Sequence, residues 1–317
     1  MDAPRCDCLI VQPIAQSAVR LLEDAGLVVH VAASTAFAHL EPYLATARAV
    51  ITRNHGLSEE EIAAAPDLRM VGVHGTGTDK VHKASLAARD IPLANTPGAN
   101  AQSVAELAIG LMLTCARSLV AADQASRSGD HLFSQKHRTF ELSGRRLGLV
   151  GYGHIAKLVA GIARAFGMEV ATVSRFTPAE ELAEQGILFS PDLDSLCAWA
   201  DIVSLHGIPQ ATPVIDARRL ALIGANGILI NTARGALIDE DALATALRDG
   251  MIAGAGLDVL TVEPIISGHP LLDCPNLVLT PHIGGSTNEA LEKTGLQIAG
   301  KVLAELKAIG RVPGAGP

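Results

Sequence analysis

The sequence predicts an α/β protein built on parallel sheets with helices over both faces, and three observations predict it. Short apolar strand candidates alternate with helix candidates along the chain, the pattern of repeated strand–helix–strand crossovers. Hydrophobic residues make up 49% of the chain but aromatics only 3%, so the cores are expected to be aliphatic, as in strands buried on both faces. Near the middle, Arg146-Leu147-Gly148-Leu149-Val150-Gly151-Tyr152-Gly153-His154-Ile155-Ala156 reads as a buried strand, a glycine turn and the first turn of a helix. At 317 residues the chain has room for two domains of ordinary size.

Taken in order, residues 8–11 read as a strand, 17–25 as a helix ended by Gly26, and 28–32 and 48–52 as further strands. Ser58-x-x-Glu61 is a capping box that opens a short helix. Strands at 69–73 and 91–94 complete a first sheet, and the turn Asn95-Thr96-Pro97-Gly98 closes the module near residue 98. Ser103-x-x-Glu106 is expected to cap a long helix, with Val104, Leu107, Ala108, Leu111, Met112 and Cys115 on one apolar face. Such a face, with the arm 121–142 that follows it, needs cover, and a homodimer is expected to provide it. Residues 121–142 are polar and read as lightly structured. Strands then follow near 146–150, 169–174, 187–189, 202–205, 227–231, 253–257 and 277–280. Ser286-x-x-Glu289 is expected to cap a last helix reaching about Ile309, and the Gly/Pro-rich residues 311–317 to fray.

Charge and cysteines narrow the function class. A net charge of −8 leaves no basic stripe to neutralise phosphates, so a nucleic-acid partner is not expected. Cys6, Cys8, Cys115, Cys197 and Cys274 are scattered without a C-x-x-C pair, which fits thiols in a reducing compartment and no metal site. Residues 1–8 lack a signal-peptide pattern, and the uncharged run between Glu106 and Arg117 is too short to span a membrane. A cytoplasmic protein is expected.

The chemistry concentrates at strand ends. Gly151 permits a tight turn, Gly153 lets a pyrophosphate approach bare backbone, and small Ala156 allows close helix–strand packing. About 20 residues on, where a carboxylate would hold a ribose 2′-OH, stand Ser174 and Arg175, which favours NADP over NAD, with NAD still possible. Three further segments follow apolar strands: Asn231-Thr232-Ala233-Arg234-Gly235, Leu257-Asp258 with Glu263-Pro264 beyond, and Thr280-Pro281-His282-Ile283-Gly284-Gly285. Taken singly, each has a bland reading as a surface arginine, a solvated loop carboxylate or a structural histidine. Together they supply what hydride transfer to a 2-oxo acid needs: a cation for the carboxylate, a proton donor for the carbonyl oxygen, and a partner for that donor.

With His74-Gly75-Thr76-Gly77-Thr78-Asp79, Asn95-Thr96-Pro97-Gly98-Ala99-Asn100 and Ser103-Val104-Ala105-Glu106, these segments make the sequence resemble the D-2-hydroxyacid dehydrogenase family over nearly its whole length. The resemblance implies two Rossmann/flavodoxin-like doubly wound domains, a cofactor domain of residues 99–286 inserted into a substrate domain of residues 1–98 plus 287–317. It implies Arg234, Glu263 and His282 as catalytic residues: the carboxylate ligand, the histidine's partner and the acid/base. Arg53, Gly75, Thr76 and Gly77 are implied on the substrate. Cofactor contacts are implied for Thr76, Gly151, Gly153, His154, Ile155, Ser174, Arg175, His206, Gly207, Pro209, Thr212, Thr232, Ala233, Arg234, Asp258, His282, Gly284 and Gly285.

The sequence departs from the family pattern at Ser174-Arg175, where an aspartate is usual. It departs again at His131-Leu132, where a tryptophan often reaches the partner subunit. The chain also ends soon after its last helix, so no regulatory extension is expected. The leading expectation is an NADPH-dependent reductase of small 2-oxo acids such as hydroxypyruvate or glyoxylate. The alternatives are D-3-phosphoglycerate dehydrogenase and, from another class, a cofactor-sensing interaction protein like the C-terminal-binding co-repressors.

Overall fold

The computed structural model describes residues 4–137, 139–308 and 310. The chain divides into two compact units, residues 1–100 with 285–317, and 101–284. Unit 1 begins with β1 (Cys8–Ile10), α1 (Gln16–Asp24), β2 (Val29–Val31), α2 (Phe37–Leu44), β3 (Ala49–Thr52), α3 (Glu59–Ala63), β4 (Met70–Val73), α4 (Lys83–Ala87) and β5 (Leu93–Ala94). Unit 2 follows with α5 (Ala101–Arg117), α6 (Leu119–Ser128), α7 (Phe133–Lys136), β6 (Arg146–Val150), α8 (His154–Ala165), β7 (Glu169–Val173), α9 (Ala179–Glu184), β8 (Leu188–Phe189), α10 (Leu193–Trp199) and β9 (Ile202–Leu205). It continues through α11 (Ala217–Ile223), β10 (Ile228–Asn231), α12 (Glu240–Arg248), β11 (Gly254–Leu257) and β12 (Leu277–Leu279). The chain then returns to unit 1 as α13 (Asn288–Ala308).

Unit 1 is a five-stranded parallel sheet of order β2-β1-β3-β4-β5, the flavodoxin-like winding. Alternation along its strands sends Cys8, Ile10, Ala49 and Ile51 to one face, where Ala18, Leu22, Ile298, Val302 and Leu306 of α1 and α13 cover them. Leu9, Val50, Val71 and Val73 face the other way, onto Leu40, Leu44, Ile62 and Leu86. Each fully buried Leu or Ile contributes about 1.5–3 kcal/mol by leaving water. The Ser58 capping box forms as expected, with Ser58 Oγ and the Glu61 carboxylate each taking the other's backbone N–H.

Unit 2 is a seven-stranded parallel sheet of order β12-β11-β10-β9-β6-β7-β8. Leu147, Leu149, Ile202 and Ile230 pack on one side against α5 and α8, and Val203, Leu205, Leu229 and Leu257 on the other against α10, α11 and α12. Two parallel-sheet α/β units are thus present, as the alternation predicts.

Several local expectations are corrected. The first long helix of unit 2 starts at Ala101, directly out of the preceding turn, so Ser103 lies inside it and does not cap it. Of its expected apolar face, Ala108, Leu111 and Met112 are buried in a core of unit 2, with Leu107 and Cys115 partly buried against it. Residues 121–142 are not loosely structured throughout: α6 and α7 occupy part of them. α6 buries no residue and is held by local pairs such as Arg127–Asp123 at 2.8 Å, so apolar periodicity gives no sign of it. The last helix is entered through Thr287, whose Oγ1 accepts the Ala290 N–H at 3.2 Å, and not through Ser286. Its expected end at Ile309 and the tail 311–317 lie outside the described residues. Among the described residues no single helix is long and apolar enough to cross a membrane.

Candidate active site

In unit 1 the sheet order reverses between β1 and β3, and ligands of such sheets bind beyond the carboxyl strand ends at that point. Arg53 follows β3 and its Nη1 donates to Pro13 O, after β1, at 2.8 Å. Beside it His74 is buried, which pushes its imidazole down to about 4; the Arg53 cation adds to the shift and a contact to Leu291 O opposes it. Gly75 has φ 143°, and its N–H donates to buried Thr96 Oγ1 at 3.0 Å. Thr76 is exposed, with its carbonyl accepting from Asn95 Nδ2 at 2.6 Å, and Gly77 is half-buried.

In unit 2 the order reverses between β6 and β9. Gly151, after β6, turns at φ 92°, and a Cβ there would lie 3.2 Å from His206 O, after β9. Gly153 is the N-cap of α8 with no side-chain cap, and a Cβ on it would meet nothing within 4 Å. The first N–H groups of α8, from His154 and Ile155 onward, therefore open onto clear space at a positive helix end. Burial pushes His206 down to about 4, with its Nε2 2.9 Å from Ser204 Oγ. Gly207 is half-buried, and Pro209 and Thr212 are exposed. Ser174 Oγ follows β7 and accepts the Thr177 N–H at 3.2 Å, and Arg175 beside it is exposed.

The turn after β10 is built by fully buried Asn231, whose Oδ1 accepts from Ala233 N and whose Nδ2 donates to Arg234 O. Thr232 Oγ1 is buried there without a hydrogen-bond partner, an acceptor and donor left over for a ligand. Uncapped helix donors, an open glycine cradle and this spare hydroxyl, all at strand ends of one sheet, fit a dinucleotide.

Arg234 half-emerges from this turn, its Nη1 donating to Ala233 O at 2.7 Å. A Cβ on Gly235 would stand 2.0 Å from Leu260 C, so the turn lies directly on the loop after β11. That loop carries Glu263. Its Oε1 accepts from Leu260 N at 3.1 Å, and its Oε2 lies 2.9 Å from His282 Nδ1. His282 sits at φ 55°, a left-handed conformation that an L residue keeps only when its surroundings hold it there. Asp258, 2% exposed, is that hold. Its backbone O takes the His282 N–H, Oδ1 takes Ile283 N–H and the Thr280 hydroxyl, and Oδ2 takes Gly284 N–H, at 2.6–2.9 Å. The structure thus brings Glu263 and His282 into contact and gives Asp258 four partners in the histidine's own loop. Gly285 falls in unit 1. Two polar residues that the sequence reading passes over, Glu240 and His269, lie at 3.1 Å under the same loop. The signal available in the sequence was the acidic Asp239-Glu240 pair, which opens α12.

Residues 109–284 match the family model described as D-isomer specific 2-hydroxyacid dehydrogenase, NAD binding domain. The chain is 33% identical over 301 residues to a D-3-phosphoglycerate dehydrogenase of Methanocaldococcus jannaschii, which covers 94% of this chain but only 57% of that protein's length. It is 38% identical over 250 residues to a hydroxypyruvate reductase of Thermotoga maritima, covering 77% of this chain and 80% of that one. Among solved structures, the NADPH-dependent glyoxylate/hydroxypyruvate reductase of Sinorhizobium meliloti, in complex with NADP and malonate, superposes with a TM-score of 0.82 at 30% identity over 95% of this chain and 93% of that one. With an open glycine turn, a histidine–glutamate pair and an arginine all at the carboxyl ends of one parallel sheet, the chain belongs to the D-2-hydroxyacid dehydrogenase family.

Proposed function

We propose that the protein is an NADPH-preferring reductase of small 2-oxo acids, with glyoxylate or hydroxypyruvate as substrate. The observation that carries this reading is the Glu263–His282 contact at 2.9 Å, on a loop fixed by Asp258. Bound NADPH supplies the hydride. Arg234 holds the substrate carboxylate, and protonated His282 delivers its proton to the carbonyl oxygen as charge builds there. Glu263 keeps that imidazole oriented through Nδ1, leaving Nε2 for the substrate. Arg53, Gly75, Thr76 and Gly77 are the proposed substrate contacts of unit 1. The test is loss of NADPH absorbance with a panel of 2-oxo acids. Absence of turnover with every member would sink the reading and favour a cofactor-sensing binding protein. A second reading, D-3-phosphoglycerate oxidation, is favoured by the archaeal relative and by Arg53 at the reversal point of its sheet. Oxidation of D-3-phosphoglycerate would identify it.

The cofactor preference rests on Ser174 and Arg175. A carboxylate at this place would repel a 2′-phosphate by roughly 4 kcal/mol at about 4 Å and an effective dielectric near 20, before screening. Its absence, with an exposed guanidinium next to it, should favour NADPH by about 1–3 kcal/mol, roughly 5–150-fold. Equal or better kcat/KM with NADH overturns this.

Glu263→Gln should change the pH dependence and leave the fold alone. An ionised carboxylate beside the ring favours the imidazolium, which reduction needs, whereas oxidation of the hydroxy acid needs neutral imidazole. Reduction by the variant should therefore fall off at lower pH than in the parent, while oxidation persists to lower pH. Unmoved profiles in both directions would show that the carboxylate has no part in the chemistry.

The homodimer remains part of this reading, and the arm that follows α5 supports it. Leu119, Val120 and Leu132, in and beside α6, are 48–50% exposed, an apolar arm that a second copy would cover. Sedimentation at micromolar concentration should give a dimer, and a monomer there removes the proposal. A cytoplasmic location is supported by five cysteines that form no disulfide.

A further inference from the structure

The loop between β11 and β12 is anchored at its two ends, by Val259 and Leu260 near β11 and by Leu271 and Cys274 near β12, and the stretch around Glu263 is less covered. Val262 and Ile266, on either side of Glu263, are 54% and 61% exposed, so apolar burial does not fix the carboxylate that faces His282. That stretch is held by the Leu260 N–H bond to Glu263 Oε1 and, from beneath, by the first residue of α12. Glu240 Oε1 accepts the Thr261 N–H at 2.6 Å, two residues before Glu263, and Glu240 Oε2 lies 3.1 Å from His269 Nε2, six residues after it. The other ring nitrogen, Nδ1, accepts the Leu271 N–H at 3.3 Å, so Nε2 carries the hydrogen given to Glu240. Leu271 itself is fully buried in the core of unit 2. The Glu240 and His269 side chains are each 13% exposed, so water does not readily replace either partner.

We propose that Glu240 and His269 form a clamp that sets the Glu263 carboxylate against His282, acting as positioning residues for the proton-transferring pair. The inference rests on the function proposed above. One carboxylate spans both limbs of the loop, so losing its His269 bond loosens the limb just after Glu263, and losing both loosens the stretch between Thr261 and His269. The same loop backs the Arg234 turn through the Leu260–Gly235 contact. The charged groups in the segments next to the pair are Asp258 after β11, Arg234 in the turn that lies on the Leu260 loop, and Glu240 and His269 of the clamp itself. Asp258 fixes His282 from its own side, and the clamp fixes Glu263 from the other.

The test is steady-state reduction of glyoxylate and hydroxypyruvate by NADPH over about pH 5–9. The variants are Glu240→Gln, His269→Ala, His269→Gln, Glu263→Gln and Glu240→Gln/Glu263→Gln, with thermal midpoints measured alongside. Glu240→Gln keeps an acceptor for Thr261 but turns an amide N–H toward the ring N–H. His269→Ala removes the ring, and His269→Gln restores a donor. Displacing a reacting group by around 1 Å can cost as much as 100-fold, so a partial displacement is expected to lower kcat about 5–50-fold with KM within about twofold. The pH at which reduction falls off should move down in Glu240→Gln and His269→Ala, as in Glu263→Gln. The double variant should move no further than Glu263→Gln alone, and His269→Gln should recover most of kcat. If Glu263→Gln shifts the profile but neither Glu240→Gln nor His269→Ala does, the clamp is a brace of the fold and the inference is overturned while the function stands. If Glu263→Gln itself shifts nothing, the reading of the pair fails, and the clamp with it. Should Glu240→Gln not fold, the contrast between His269→Ala and His269→Gln decides the same question.

Discussion

Replacing His282 by alanine should lower kcat for 2-oxo acid reduction by about 10²–10⁴-fold, the range for a lost general acid, with KM little changed. The structure makes this a clean substitution, because the loop is shaped by Asp258 and not by the ring. Asp258 receives the backbone N–H groups of residues 282, 283 and 284, and these bonds remain when the imidazole is removed. The one local cost is backbone: position 282 has φ 55°, which alanine tolerates less well than asparagine. His282→Asn therefore serves as a second variant, since it accepts the left-handed conformation but donates no proton of useful acidity. Both should lose kcat to a similar extent while keeping cofactor affinity, measured by NADPH fluorescence titration. Near-parental turnover in both would make His282 a structural residue and remove the assignment of acid and base.

Arg234→Ala should be the second large effect, and of a different kind. A guanidinium bound to a carboxylate in two places makes charge-assisted bonds that are present on binding and strengthen as the carbonyl polarises. Its removal should raise KM and lower kcat together, losing about 2–5 kcal/mol, or roughly 30- to 5000-fold in kcat/KM. Arg234→Lys should recover only part of this, because an ammonium offers a point charge where a planar fork is needed. The turn itself should survive, since Asn231 ties it through Ala233 N and Arg234 O and not through the guanidinium. A parental KM for the 2-oxo acid in Arg234→Ala would show that the carboxylate binds elsewhere.

Features that are local in sequence were legible before any coordinates. The capping box at Ser58 and Glu61, the strands of both sheets and the turn Gly151–Gly153 each declare themselves within a few residues. α2 did not, because Pro42 lies inside it and no side chain caps its start. α6 did not, because a helix with no buried face leaves no apolar period to find. Ser103 misled because a capping pattern inside a helix looks the same as one at its start. Around the site the division is similar. His282, Glu263 and Arg234 stand out because each follows an apolar strand, and the first two do meet. What Asp258 and Glu240 bind was hidden, because their partners lie 21–29 residues away along the chain and are brought close only by sheet register.

The return of α13 to the first unit has a consequence in time. Residues 8–10, 49–51 and 70 present Cys8, Ile10, Ala49, Ile51 and Met70 to one face of their sheet, and Ile298, Ala299, Val302, Leu303 and Leu306 of α13 are part of its cover. During synthesis those strands leave the ribosome before unit 2 and α13 after it. At roughly 5–20 residues per second, about 180 intervening residues take on the order of 10–40 s. Throughout that interval the first sheet has α1 on this face but not α13, and at its end the second unit is complete while the first still waits for α13. The unit that begins the chain is therefore the last to be finished.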